Sequence, residues 1–505
     1  MPQRLLKILC ICSVFLFAGC AGSSVLVPNP KGKTAHPEKR SPSVEKNDKH
    51  TPPAGETKES EERDSEKIPS EDELDFALAF VDTDASVSES RSEKPIISEE
   101  SSTARQKCTV PRRIVRVALN RNCSRLAVYS IGKVDIHAYK KYGNRTCRGR
   151  IGLRSGKKKN GQPRAVVETS EHGTFAVFLP CTLQSQSAHA YFELDQKSYR
   201  GGIIIIPGRG ISFSVVNFCP VEEYLRGVVP LEIGKRSDED LEAIKAQAVA
   251  ARTYTYKKMI ERQQQPFDLL ATVEDQVYGG VTTEYPLSDR AIKMTEDMVA
   301  VYGDSLIYAY YHSTCGGMTA NITDVWQKPP QPYLRSIRDV DKSGKAYCAI
   351  SRYFIWRETW NTATLSSIAK RYSSAAFPAK PAFRGAITGI TVLGTFPCGR
   401  ISACRINTSE GEFIYSGDKI RFLLRRNEPG HPILRSACFT VAHCDKKKVT
   451  LSGQGYGHGV GMCQMGAIGR ARAGQTYIQI LKAYYSGINI VPVVIDQKGK
   501  KLVYE

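Results

Sequence analysis

The chain has 505 residues, with 71 Lys and Arg against 51 Asp and Glu, and a formal net charge of +20. Its 41% hydrophobic content supports a sizeable folded body and excludes a chain disordered from end to end. The excess of cations calls for an anionic partner.

The first residues read as an export signal. Arg4 and Lys7 precede an apolar run from Ile8 to Phe17, about half the length that spans a bilayer. Phe17-Ala-Gly-Cys20 follows and has the pattern of a bacterial lipobox, with Phe17 where leucine is usual. This predicts a signal peptide over residues 1–19 and a lipidated Cys20; ordinary signal cleavage with an incidental Cys is the alternative. Ala21 after that Cys is compatible with transfer to an outer membrane. The expected location is the periplasmic face of the envelope, tied to the membrane by the N-terminal lipid. An exported chain does not meet nucleic acid, so the charge points to an anionic glycan or a membrane surface instead.

Residues 20–107 are rich in Ser, Pro, Glu, Lys and Asp, with hardly an aromatic. Such a stretch buries too little apolar surface to offset its chain entropy. It reads as a disordered tether with a mean reach on the order of 50 Å. Leu74 to Val81 is its one apolar island. The signal carries about +2 and the tether about −6, which leaves about +24 on the body at residues 108–505. Basic residues crowd between Arg148 and Arg164. Of 15 cysteines, Cys10, Cys12 and Cys20 lie near the signal. The remaining even number suits several disulfides in an exported protein, with Cys398/Cys404 and Cys438/Cys444 as close pairs.

The body begins with β patterns. Ile114–Leu119, Leu126–Tyr129, Thr174–Leu179 and Gly202–Pro207 are short, β-branched and bounded by turn residues. A long helix follows: Ser237 is the expected N-cap, and Leu241, Ile244, Ala248, Ala251 and Thr255 recur at helical spacing as far as about Gln264. Further helices are expected over about Ser288–Val299 and Thr476–Tyr485, with strands at Ala386–Leu393 and Lys448–Leu451. Strand runs with segregated helices predict an α+β body, short-stranded, with the long helix after a carboxylate-bearing turn and a glycine-rich C-terminal loop.

Three segments concentrate chemistry: Val228-Val-Pro-Leu-Glu232, Tyr311-His-Ser-Thr-Cys-Gly-Gly317, and Gly453 to Ala467 with His458 and Gln464. Glu232 is a lone carboxylate beside an apolar pair, a setting that raises a pKa by desolvation and suits a general acid. A helix-flanking acid is the plainer alternative. His312 and Cys315 have a spacing compatible with zinc, and Cys348 is a third candidate ligand; no fourth is evident. A Cys315–Cys348 disulfide and free thiols are the competing assignments. The glycine-rich loop has no Lys-Ser/Thr pair after it and is not a phosphate loop. It suits close approach of backbone to a sugar, with His458 and Gln464 as sugar contacts or as loop-fixing groups.

Taken in order, Asn217–Ile233, Leu241–Tyr254, Asp275–Gly280, His312–Thr319, Pro332–Leu334 and Gly453–Ala467 resemble consecutive blocks of the SpoIID/LytB family over about residues 113–490. The resemblance implies a lytic transglycosylase that cuts between N-acetylmuramic acid (MurNAc) and N-acetylglucosamine (GlcNAc) in peptide-free, denuded glycan strands, leaving 1,6-anhydro-MurNAc ends. It implies Glu232 as the catalytic residue, a peptide-stripping amidase as partner, and envelope or septal remodelling as the task. Some family members bind zinc near the His312 loop. Arg252, Tyr254, Gln276 and Tyr278 fall in matching blocks and are candidates to line the groove, Arg252 equally as a buried ion-pair partner. A non-catalytic glycan binder or amidase enhancer, and a zinc-dependent hydrolase at His312/Cys315, are the alternative functions.

Overall fold

The structure, a computed structural model, describes residues 108–495 apart from 111–112, 139–143, 188–189 and 327. The signal segment, Cys20, the tether and the Leu74–Val81 island lie outside the described residues. The body is α+β. Ile114–Cys123, Arg125–Ala138, Arg145–Lys159, Gln162–Thr169, Gly173–Phe178, Cys181–Ser185, Gly202–Pro207 and Phe213–Pro220 pair antiparallel in one large sheet. Leu269–Leu270 adds to it in parallel beside Ile114–Cys123. The basic stretch around Arg148 to Arg164 forms two of these strands.

Beyond the sheet, Phe213–Pro220 runs directly into two short helices, Val221–Arg226 and Val229–Ile233. Pro230 sits at the start of the second, where its fixed φ is preorganised and its missing N–H is not needed. The long helix, Leu241–Glu261, has apolar or small residues on nearly every side and is buried along most of its length, as expected of a core helix. Ser237 makes no side-chain capping bond; a 3-10 turn at Asp238–Asp240 leads in instead. There Asp240 is held by the Arg472 guanidinium at 2.7 and 3.1 Å.

The helix expected over about 288–299 is shorter, Pro286–Met294. Asp297 has φ +65°, and Met298–Tyr302 becomes a strand paired with Asn489–Ile495. Sheet pairing here outweighs helical periodicity. The last helix, Tyr477–Tyr484, starts with a full capping box between Thr476 and Gln479.

A second apolar core lies in an insert between Ser351 and Gln454. Trp356, Trp360, Leu365, Ile406, Tyr415 and Leu451 are among its buried members. Two three-stranded sheets and the helix Thr362–Ala376 build it, and sequence periodicity did not show that helix. The insert opens and closes at nearly one point: the Gly455 amide donates to the Phe354 carbonyl at 3.1 Å.

Candidate active site

The insert's last strand delivers the chain into the glycine loop, which crosses the end of Tyr311–His312. That strand pairs in parallel with Met462–Cys463. Glycine is required where backbones meet closely. A Cβ on Gly461 would run into the Tyr310 carbonyl, and one on Gly457 would come within 2.9 Å of the His312 Cβ. Both have positive φ.

The result is a cleft of about 350 Å³ lined by Leu231, Glu232, Tyr254, Tyr310, Tyr311, His312, Trp326, His458 and Gln464, among others. Glu232 lies on the short helix Val229–Ile233, half-buried and reaching into it. Its Oε1 accepts the Val277 amide at 3.2 Å, and the Tyr311 hydroxyl and Gln464 amide also donate to it. Burial outweighs these neutral donors and pushes its pKa up to about 7. The donors are oriented from behind. Gln276 donates to the Tyr311 oxygen at 3.0 Å, and its own carbonyl accepts from Tyr224 at 3.2 Å and Thr255 at 3.0 Å.

Two other carboxylates line the cleft, Glu274 and Asp275. Asp275 is consumed by structure: it receives Arg262 at 2.6 and 3.1 Å, the Tyr254 hydroxyl at 3.0 Å and the Leu270 amide at 2.9 Å. Glu274 is exposed.

On the opposite wall His458 packs on Trp326, with ring centroids 4.8 Å apart. Its Nδ1 accepts the Val460 amide at 3.1 Å and the ring also bonds to the Tyr311 backbone, so the ring holds the loop. His312 Nδ1 faces the Val460 carbonyl at 3.2 Å. A carbonyl only accepts, so that nitrogen carries the proton and Nε2 is a bare acceptor. Among the described residues no group pairs with the buried Nε2. Burial, with His458 and Arg400 nearby, holds His312 well below the usual histidine range.

The expected groove residues divide. Tyr254, His458 and Gln464 line the cleft. Arg252, Gln276 and Tyr278 stand behind it, at 0%, 1% and 3% exposure, and are corrected from sugar contacts to supports. Arg252 makes a two-pronged pair with Glu222 at 2.7 Å on each prong and donates to the Met298 and Ile292 carbonyls. Tyr278 donates to Asn217 at 3.0 Å.

The expected ligand trio His312, Cys315 and Cys348 is corrected as well. Cys315, Asp339, Cys348 and Cys463 bring their ligand atoms within 4.8 Å of one another, all buried, and His312 is not among them. Cys315 and Cys348 sulfurs lie 3.5 Å apart, too far for a disulfide. Cys398, Cys404, Cys438 and Cys444 are unbridged, so the expected close pairs do not form disulfides. Asp339 is steadied by Arg470 at 2.9 Å and Tyr484 at 2.8 Å. Three sulfurs and one oxygen in a closed, buried group match a structural tetrahedral zinc site. Cys463 sat inside the glycine-rich segment and its spacing signal was available; Asp339 carries no local signal.

A family model described as stage II sporulation protein, SpoIID, matches residues 210–302, and one for a domain of unknown function, DUF8618, matches residues 344–461. An uncharacterized protein of Brachyspira hyodysenteriae is 31% identical over 301 residues, covering 59% of this chain and 74% of that protein. The amidase enhancer of Bacillus subtilis is 31% identical over 297 residues, 53% of this chain and 40% of the enhancer. Stage II sporulation protein D of Bacillus subtilis is 28% identical over 291 residues, 54% of this chain and 75% of the relative.

Proposed function

Because the chain belongs to the SpoIID family, we propose that it is a lytic transglycosylase acting on denuded peptidoglycan glycan strands. The observation that carries this is Glu232, a carboxylate held near pKa 7 by burial, on an open cleft, with only neutral hydrogen-bond partners. A hydrolase uses two carboxylates, one as acid and one for water or the anomeric carbon. Here Asp275 is fully engaged by its own donors and Glu274 is exposed to solvent, which leaves Glu232 as the desolvated proton-exchanging group on the cleft.

One group is enough when the sugar supplies the nucleophile. Glu232 gives its proton to the glycosidic oxygen as the bond from C1 of MurNAc to that oxygen breaks. The resulting carboxylate then takes the proton of the MurNAc 6-hydroxyl, whose oxygen bonds to C1 and closes the 1,6-anhydro ring. GlcNAc leaves with the first proton, and Glu232 ends as it began. Trp326 and Tyr310 offer ring faces to pyranose C–H groups.

Cys315, Asp339, Cys348 and Cys463 would hold a zinc ion. When bound, it would fasten the segments that carry these residues. All four are buried and none lines the cleft, which counts against a zinc-dependent hydrolase. The protein would work at the periplasmic face, tethered through a lipid on Cys20, beside an amidase that strips the peptides first.

The test is incubation with denuded strands, as wild type and as Glu232→Gln, with mass spectrometry for 1,6-anhydro-MurNAc ends. The proposal requires that wild type makes them and that the variant binds strands without cutting. A second function, glycan binding that enhances an amidase, is favoured by the similarity to the amidase enhancer. It is the outcome if both forms bind and neither cuts.

A further inference from the structure

A run of basic residues in the large sheet lies outside the cleft lining. In the large sheet, Arg125 is directly opposite Arg154, Ala127 opposite Gly152, and Tyr129 opposite Arg150. Opposed residues share a face, and Gly156 with Arg164 opposite it continues that face along the two neighbouring strands. Arg125, Tyr129, Arg150, Arg154 and Lys158 are exposed, Tyr129 at 45%.

None of Arg125, Arg150, Arg154 and Lys158 has an ion-pair partner among the described residues. Placing two arginines directly opposite each other works against sheet stability, by roughly 0.2–1 kcal/mol for a like-charge pair. The arrangement is compensated when an anion lies across it. Two carboxylates share the face, Glu168 opposite Gly152 and Glu193 opposite Tyr129.

We propose that this face, centred on Arg125, Arg154, Arg150 and Tyr129, is a second binding surface for a glycan strand bearing a carboxylate at each muramic acid. This rests on the glycan substrate proposed above. Ala127 and Gly152 separate the Arg125/Arg154 and Tyr129/Arg150 rows, and the Arg150 guanidinium lies over Gly152 beside the Glu168 carboxylate. Tyr129 presents a ring for a pyranose to pack on, and the guanidinium groups take the lactyl carboxylates in two-pronged contacts. A lipid surface is a continuous plane of negative charge, whereas the spaced carboxylates of a strand suit a face on which the arginines are interspersed with Glu168 and Glu193. Holding substrate away from the cleft keeps a cut strand attached between turnovers and raises its local concentration at Glu232.

The experiment uses the full chain carrying Glu232→Gln, so that strands are bound and not consumed, with and without Arg125→Glu and Arg154→Glu together. Both positions are exposed, and unchanged cleavage of a short MurNAc-containing oligosaccharide by the Arg125→Glu/Arg154→Glu chain with Glu232 restored shows that the fold survives. Sedimentation with denuded strands is expected to weaken about tenfold or more. Strands whose carboxylates have been amidated are expected to bind parent and variant alike, at the variant's level. The proposal is overturned if the variant sediments with denuded strands as the parent does. It is overturned equally if the variant keeps strand binding and instead loses binding to vesicles of anionic phospholipid. If the parent itself does not bind strands, this proposal and the substrate assignment fall together; equal binding by parent and variant removes this proposal alone.

Discussion

The cleft around Glu232 and the thiol cluster behind it are built from the same two chain segments and have opposite electrostatic surroundings. His312 faces the cleft and Cys315 the cluster; Gln464 faces the cleft and Cys463 the cluster. Glu232 has burial and three neutral donors around it. Asp339 has the Arg470 guanidinium at 2.9 Å. A carboxylate among neutral dipoles can exchange its proton near neutral pH; burial raises the pKa of Asp339 too, but the Arg470 cation beside it opposes that rise and ties it in place. Adjacent residues thus separate chemistry from fastening.

The largest effect that would break this contrast is in turnover. Glu232→Gln is expected to lower the production of 1,6-anhydro ends by on the order of a thousandfold, without loss of stability. On the cluster side the expected loss is in stability. Arg470→Ala leaves a buried Asp339 without its cation and should cost about 3–5 kcal/mol, read as a shift in the denaturant midpoint. Turnover per folded molecule should change little; a thousandfold loss there would mean that the two regions are not separate.

A third measurement sharpens the assignment of the proton. The folded pKa of Glu232, about 7, lies above its ordinary 4.5. The folded state therefore holds a proton that the unfolded chain releases between those values, and the stabilising contribution is lost as pH rises through 7. Glu232→Gln cannot ionise. It should unfold like wild type below about pH 4.5 and be the more stable by about 2–3 kcal/mol above pH 7. Equal midpoints at pH 8 would contradict the desolvated carboxylate.

The smallest effect concerns Tyr311. Its hydroxyl favours the ionised form of Glu232, so Tyr311→Phe should raise that pKa by up to about one unit, the worth of one hydrogen bond. The alkaline limb of the rate–pH profile should move upward. A downward movement would show that the hydroxyl stabilises the protonated acid instead.

Much of this architecture is written locally and some is not. The strand at Gly202–Pro207 is bounded by its own turn residues and β-branched run, and its limits are those read from sequence. The helix at Thr362–Ala376 escaped because Ser, Thr and Ala dominate it and its apolar face is narrow; the insert core holds it in place. Glu232, Gln464 and the cysteines stood out by residue type, but which side of the wall each occupies depends on strand pairing between residues some 150 positions apart. The same limit hid Asp339, and it let Arg252, Gln276 and Tyr278 pass for groove residues. Block membership marks a neighbourhood, and burial decides whether a side chain in it touches ligand or props the one that does.

The Phe354–Gly455 hydrogen bond at the neck of the insert bears on how such a protein can change over time. A segment whose two ends meet, and which carries its own core, can be lengthened, trimmed or exchanged with little entropic strain on its host. Its exit lies at the start of the Gly453–Ala467 segment, and Arg400 from within it donates to the Gly457 carbonyl at 3.1 Å. Variation in this module therefore reaches the rim of the cleft directly, and the body has a port through which specificity can be retuned while Glu232 and its supports stay untouched.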